Sequence, residues 1–474
     1  MKKITVKYVV AFVVITWLGG CKIPAITGKT ENKTVPSTYQ QSTDSANSAT
    51  IPWRSYFNDP YLTALIDTAL HNNQELNIVL REIEMSNNEV MARRGEYLPF
   101  VQLRAGALTD KSGKYTWNGF NEEDLKANPD KAPKYYGDFM LGAAMSWELD
   151  VWKKLRTAKK SAVLRYLSTI EGKNFLITNI VGEIASSYYE LMALDNLLAI
   201  IQQNIDLQST ALQIVKLEKN AAKVSQLAVN RFEGQLLNTK NLQYAIKQQI
   251  VETENRINLL TGRFPQPLPR NTAGFNQLGV GDVVAGLPSQ LLTNRPDIRQ
   301  AELALAATKL DVQVARANFL PSFRLTAGLG LNSFNPAYVL RPTALMYQLA
   351  GDAVAPLINR KAIEATYFNA NAKQVQAAYD YERTILNAHI EVVNQLSGIE
   401  QYTQSFETKA REVEILTQSI TISNDLFRSA RADYIEVLLT QKEALDSRIE
   451  LIEIKLKQLQ AKVNIYKALG GGWK

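Results

Sequence analysis

Arg94-Gly95-Glu96-Tyr97-Leu98-Pro99 returns later in the chain as Arg316-Ala317-Asn318-Phe319-Leu320-Pro321, with Arg, Leu and Pro each displaced by 222 residues. The chain is therefore written twice. Further on, Leu227, Val229 and Glu233 match Val437, Leu439 and Glu443 at an offset of 210, and Leu259 and Gly262 match Leu469 and Gly472 at the same offset. The second copy is thus about a dozen residues shorter. Much of the difference falls in a polar stretch between Leu108 and Tyr136 that carries Gly113, Gly119, Pro129 and Pro133. Self-similarity at a fixed separation marks a repeated supersecondary unit.

Working outward from the two Leu-Pro pairs, each copy shows the same order of elements. A helix is expected over 60–96 and again over 295–318. It stops at Pro99 or Pro321, because proline cannot continue a helix and biases its predecessor toward extended geometry. Two strands follow in each copy: 101–108 with 139–149, and 323–331 with 345–357. They alternate apolar and small or polar residues and are joined by loops rich in Gly, Asn or Pro, as in hairpins. Their length of roughly 10–12 residues suits a tilted membrane strand. Then comes a very long helix, 153–220 or 359–429, and a return helix, 224–260 or 433–469. At 1.5 Å per residue the outgoing helix reaches ~100 Å. Ile449, Ile452, Leu456, Leu459, Val463 and Tyr466 alternate steps of three and four, as do Val229, Phe232, Leu236, Ile246, Ile250, Ile257 and Leu260 with Thr239, Gln243 and Thr253 in the remaining seam positions. Such a pattern makes packed antiparallel hairpins.

The chain begins Met1-Lys2-Lys3, runs almost wholly apolar over 8–17, and reaches Leu18-Gly19-Gly20-Cys21. That is a secretory signal over 1–20. Leu-Gly-Gly-Cys resembles a bacterial lipobox, which implies cleavage before Cys21 and attachment of a diacylglycerol and an acyl chain to it. An ordinary signal with a chance cysteine is the alternative. Cys21 is the sole cysteine, so no internal disulfide can form. Residues 21–58, rich in Thr, Ser, Asn and Gln, read as a tether with no core of its own, pinned at its end by Trp53, Tyr56 and Phe57. The remaining divisions are a first repeat over 59–262, a linker over 263–294, a second repeat over 295–469 and a tail over 470–474. The formal charge is +7, three units of which lie in the signal as Lys2, Lys3 and Lys7. What remains is too mild for nucleic acid. Beyond the signal no apolar run approaches the ~20 residues of a membrane helix, so any crossing must be made by strands.

Four strands cannot close a barrel, and exposed strand edges are not tolerated in lipid. The chain must oligomerise, with its polar long helices projecting into water. At this point the chain resembles the TolC/OprM family of outer-membrane efflux channels, and within it the NodT-type lipoproteins that serve RND pumps. The residues that carry the likeness are Leu18–Cys21, the paired Leu-Pro corners, Trp147-Glu148-Leu149-Asp150-Val151-Trp152 at the entry to the long helix, and Arg295-Pro296-Asp297-Ile298-Arg299-Gln300-Ala301-Glu302. The resemblance implies a homotrimer with a 12-strand barrel on a 12-helix periplasmic tunnel. It also implies an outer-membrane, lipid-anchored location, a periplasmic adaptor and an inner-membrane pump as partners, and passive export of drugs, metals or peptides. Lys22 after the cysteine agrees with outer-membrane sorting. No cofactor beyond the lipid is implied.

Candidate working residues follow. Pro296 and Asp297 suit the first turn of a helix, and Arg295 and Arg299 are expected to tie that helix to its neighbours. Across the second hairpin tip the family reads approximately Tyr-x-x-Gly-x-x-x-x-x-Asp-Val-Leu-Asp. Here Phe427 and Ala430 replace Tyr and Gly, Glu436 takes the place of the first aperture acid and Leu439 that of the second. Two readings stand for Glu436: a ring of negative charge at a periplasmic aperture, or a solvated helix residue. Lys223, Val224, Ser225, Gln226 and Leu227 at the first tip, with Asp433 and Tyr434 at the second, are the implied adaptor contacts; Ser225 also suits a helix cap. His71 and His389 have no neighbours that suggest a metal, and no catalytic motif is present, so no enzyme is expected. A periplasmic coiled-coil adaptor and a lipid-anchored hydrolase are the alternatives. Two complete repeats argue against the first and the missing catalytic constellation against the second.

Overall fold

The computed structural model describes residues 23–39, 45–111, 136–271, 274–279, 281, 283–429 and 431–473. The signal, Cys21, the glycines and prolines of the insertion, and Ala430 lie outside the described residues. The chain divides into two compact units. One takes residues 1–30, 84–167 and 303–379; the other takes 31–83, 168–302 and 380–474.

The main elements are α1 (Pro60–Asn72), α2 (Gln74–Glu96), β1 (Phe100–Asp110), β2 (Tyr136–Leu149), α3 (Lys154–Asn220), α4 (Gln226–Leu260), α5 (Pro296–Ala317), β3 (Ser322–Ser333), β4 (Leu345–Val354), α6 (Lys361–Arg428) and α7 (Tyr434–Ala468). The helix expected over 60–96 is two helices. Asn73 ends the first with its N–H on Ala69 O and caps the second with its side chain on the Leu76 N–H at 2.9 Å. The break was not foreseen because asparagine is ordinary inside a polar helix until its cap geometry is seen.

In the first unit the four strands form one antiparallel sheet in the order β1-β2-β3-β4. The two hairpins come one from each repeat, and the central β2–β3 pairing joins them, with Ala143 opposite Leu329 and Leu141 opposite Leu331. Gly142 and Gly330 face each other there; a Cβ on either would lie 2.8 Å or less from backbone of the other strand, so glycine is required on both. The tryptophans of Trp147–Trp152 stitch the sheet to the two corners. Trp147 Nε1 donates to Tyr97 O at 3.1 Å, and Trp152 Nε1 donates to Pro321 O at 2.7 Å. Between them Asp150 caps α3. Burial opposes its charge, but the N–H groups of Arg156 and Leu155 and the Arg156 guanidinium hold its carboxyl below the ordinary range. Lys153 and Asn359, one before each long helix, both adopt left-handed backbone, φ 58° and 55°.

In the second unit the core is drawn from α1, the outer two thirds of α3, the length of α4 and one face of α7. Trp53 and Phe57 are buried in it, as expected of the end of the tether. The preceding segment is also held, which its composition did not announce. In the first unit Gln374 and Asn371 donate to Lys29 O and Thr27 O, and Ile23 and Ile26 pack on Phe319 and Tyr367. In the second, Lys33 pairs with Glu302 at 2.6 Å and Tyr39 stacks on His389.

The return helices correct the register of the repeat. α4 and α7 are both 35 residues long, and their ends differ by 208 residues, 226 to 434 and 260 to 468. At this offset Val229, Leu236, Thr239, Ile250 and Ile257 fall on Val437, Ala444, Ser447, Gln458 and Ile465, and all ten are buried. The 210 offset fails because a seam with an apolar residue every three or four positions yields near-matches at several registers. The left-handed glycine after each helix fixes the true one: Gly262 (φ 69°) corresponds to Gly470 (φ 92°), not to Gly472.

Candidate functional site

Side chains alternate across the sheet, and the register sorts them cleanly. One face carries Val101, Leu103, Leu141, Met145, Leu325, Leu329, Leu331, Leu345, Tyr347 and Leu349; no described residue on it is charged. Leu103 and Tyr347 are 87% and 84% exposed, so no described residue covers this face there. The opposite face carries Gln102, Arg104, Asp110, Asp138, Ser146, Glu148, Arg324, Thr326, Asn332, Gln348 and Asp352, interspersed with Phe100, Leu108, Met140, Met346 and Val354. Asn332 donates to Asp138 across the β2–β3 pair at 2.6 Å, and Glu148, Arg324 and Asp352 stand in one cross-strand row. Among the described residues β1 pairs only with β2 and β4 only with β3, so both edges of this sheet are open. No helix among the described residues is long and apolar enough to cross a membrane.

The Arg295 motif opens α5 at Pro296, as the proline and Asp297 suggest. Arg295 is buried, and four of its five N–H donors are engaged. Its guanidinium grips Asp297 (2.7 and 3.0 Å) and Glu391 (2.7 Å), and donates to Ala468 O at 2.9 Å. Arg299 pairs with Glu171 at 2.7 Å. The repeat explains this joint. At the 222 offset Arg295 corresponds to Asn73, whose Nδ2 donates to Leu260 O at 2.9 Å. Leu260 and Ala468 are the matching last residues of α4 and α7. Beside each contact a left-handed glycine lies so close that a Cβ would meet Asn72 O at 2.5 Å or Asn294 O at 2.7 Å. Arg295, Pro296, Asp297 and Arg299 are therefore joint residues. Asn73 is the joint residue that sequence reasoning missed; its signal was the 222 offset itself.

At the first tip, Ala222 turns left-handed (φ 59°) and Lys223 N–H closes on Glu218 O at 2.9 Å. Ser225 occupies the N-cap position of α4, but its side chain makes no cap hydrogen bond. Lys223, Gln226 and Leu227 are exposed, while Val224 packs inward. At the second tip the corresponding Asp433 does cap, accepting from Tyr434 N–H at 2.8 Å, and Tyr434 packs on the core. Glu436 and Leu439 are exposed and Phe427 half-buried. Glu436 lies in the first turn of α7, where a carboxylate suits the helix dipole. At the 208 offset it stands where the first copy has the buried Ala228. The tip sequences have thus diverged in burial as well as in residue type, with exposed Glu436 opposite buried Ala228 and core-packed Tyr434 opposite exposed Gln226. Among the described residues no group of His, Cys, Asp and Glu is arranged to hold a metal.

The family described as "Outer membrane efflux protein" matches residues 65–263 and 287–471, two blocks that coincide with the two repeats. The pyoverdine export outer membrane protein OpmQ of Pseudomonas putida is 28% identical over 421 residues, 89% of this chain and 88% of its own length. The solvent efflux pump outer membrane protein SrpC of Pseudomonas putida is 28% identical over 422 residues, 89% of this chain and 87% of its own. Among solved structures, the open state of the Neisseria gonorrhoeae MtrE outer membrane channel superposes with a TM-score of 0.82 at 21% identity, covering 96% of this chain and 98% of that one. The reading as a coiled-coil adaptor finds no support in these likenesses.

Proposed function

Since the chain belongs to the outer membrane efflux protein family, we propose that three copies form the passive exit duct of an envelope-spanning efflux system for small organic molecules. The sheet carries the argument. Its uncharged, uncovered face suits hydrocarbon, its polar face suits a water-filled lumen, and its two open edges cannot remain open in lipid. Three sheets joined β1 to β4 give twelve strands and no edge. The helices are too polar to enter the bilayer and continue the duct into the periplasm. The tips, with Lys223, Val224, Ser225, Gln226, Leu227, Asp433 and Tyr434, then meet a periplasmic adaptor, through which an inner-membrane pump of the RND type loads the duct. The relatives are named for export and efflux, which supports conduction in place of catalysis. The names of the relatives, pyoverdine export and solvent efflux, support organic cargo.

Glu436, Leu439 and Phe427 from three tips form the narrow end. Three Glu436 carboxylates at one level repel one another and favour cations between them; Leu439 adds apolar contact. Changing Glu436 to Gln lowers cation selectivity in planar bilayers and leaves assembly intact. Unchanged selectivity makes Glu436 a solvated residue. Acylation of Cys21 anchors the chain, and mass spectrometry of the mature N-terminus reads it directly. The test of the duct itself is electrophoresis in detergent before and after boiling. A trimer that collapses to monomer on boiling is expected; a monomer before boiling refutes the proposal.

A further inference from the structure

In the helical unit a cavity of about 310 Å³ opens beside α7. It is lined by Tyr56, Asn58, Asp59, Tyr61, Tyr189, Asn271, Leu459 and Lys462, among others. That volume lies at the lower end of small-molecule sites, ~300–1,000 Å³. Among the described residues, two donors on its wall have no acid partner. The Lys462 ammonium donates only to Gly279 O, at 3.2 Å, and lies 5.6 Å from the centre of the Tyr56 ring. The Tyr189 hydroxyl has no hydrogen-bond partner among the described residues, and the residue is largely buried. The one carboxylate among the described wall residues already accepts three hydrogen bonds. Asp59 accepts from the Tyr61 and Leu62 N–H groups at 2.8 and 3.2 Å and from the Tyr188 hydroxyl at 3.0 Å. Two turns away on the same helix face Lys455, 4% exposed, donates only to Gln458 and lies over the Phe406 ring. Burial lowers both lysines from their ordinary range, and the charge of Lys462 adds to the lowering at Lys455. A partly desolvated ammonium without a counter-ion is costly, and an anion beside it removes that cost.

We propose that this cavity binds a small aromatic carboxylate, its carboxyl group held by Lys462 and Tyr189 and its ring against Tyr56. A monoanion is favoured over a phosphate because one ammonium faces the cavity and Asp59 already contributes a negative charge to its wall. A cation is disfavoured because the Lys462 ammonium lines the same cavity. The proposal needs neither the trimer nor the pump and goes beyond the duct reading.

The test uses the full chain in detergent and ligand-detected NMR titration with three probes: benzoate, methyl benzoate as its neutral counterpart, and phenyl phosphate as the dianion. Benzoate is expected to bind at least tenfold more tightly than either of the others. Lys462→Met, which keeps the apolar stem, should weaken benzoate at least tenfold, and Tyr189→Phe several-fold, with thermal unfolding of both variants close to that of the parent. Equal binding of the methyl ester, or benzoate binding indifferent to Lys462→Met, overturns the proposal. Tighter binding of phenyl phosphate overturns the choice of a monoanion.

Discussion

The two helical hairpins have the same length and connectivity but are held together by different means. In the outer half of α3, Leu194, Leu197, Ile201, Ile205, Leu212 and Val215 are buried, and they meet Val229, Phe232, Leu236, Ile246 and Ile250 of α4 in one apolar core. In α6, beyond Val392, the only buried described residue is Ser423. α7 turns its apolar face, with Ile452, Leu459 and Val463, to the core shared with the first hairpin. Toward α6 it offers polar groups. The Ser447 hydroxyl donates to Glu412 at 2.7 Å, Arg448 to Thr417 at 3.0 Å and Gln458 to Thr403 at 2.9 Å, while Lys409 bridges Glu412 and Glu450. Buried apolar area stabilises by roughly 25 cal/mol per Å², whereas hydrogen bonds and half-exposed ion pairs each contribute about 1 kcal/mol or less. Within one chain, duplication therefore left one hairpin with a continuous apolar seam and one whose outgoing helix, beyond Val392, is tied mainly by polar contacts.

This contrast can be broken by mutation. Phe232→Ala opens a cavity in the first hairpin and should cost about 3–5 kcal/mol, read as a fall in the denaturant midpoint of the helical signal. A loss below 1 kcal/mol would remove the contrast. Gly262→Ala and Gly470→Ala probe what the repeats still share. Each forces a Cβ against an asparagine carbonyl in left-handed backbone, so each should cost about 1–3 kcal/mol and by similar amounts. Unequal costs would show that the joints have diverged. Gln208, 2% exposed inside the first hairpin, has neither amide atom hydrogen-bonded. Gln208→Leu should stabilise by about 1 kcal/mol, a rise in thermal midpoint. Ser447→Ala removes one polar tie of the second hairpin and should cost only about 0.5–1.5 kcal/mol. Amide exchange over 401–428 should then quicken more than over 193–220.

Much of this architecture was legible in the chain because its signals are local. Leu98-Pro99 and Leu320-Pro321 end helices by backbone chemistry alone, and the strands announce their faces by alternation. The exact pairing of the repeats was less legible, since apolar residues at heptad spacing resemble themselves at neighbouring registers; left-handed Gly262 and Gly470 settle it through conformation. The hold on residues 23–39 was not legible, because their partners, such as Glu302 and Gln374, lie some 270–345 residues away and only folding brings them near. Arg295 was read as a tie, but its partner Ala468 O is backbone and leaves no mark in composition.

The central claim is that sheets of different copies join edge to edge. In one chain Leu103 and Tyr347 sit in one cross-strand row with Ala143 and Leu329 between them. Three strand spacings separate them by roughly 14 Å, too far for an intrachain disulfide. Cysteines placed at position 103 and, in separate variants, at 345, 347 or 349 should cross-link under oxidation into covalent dimers and trimers on a denaturing gel. Monomers alone at every one of these registers would contradict the account.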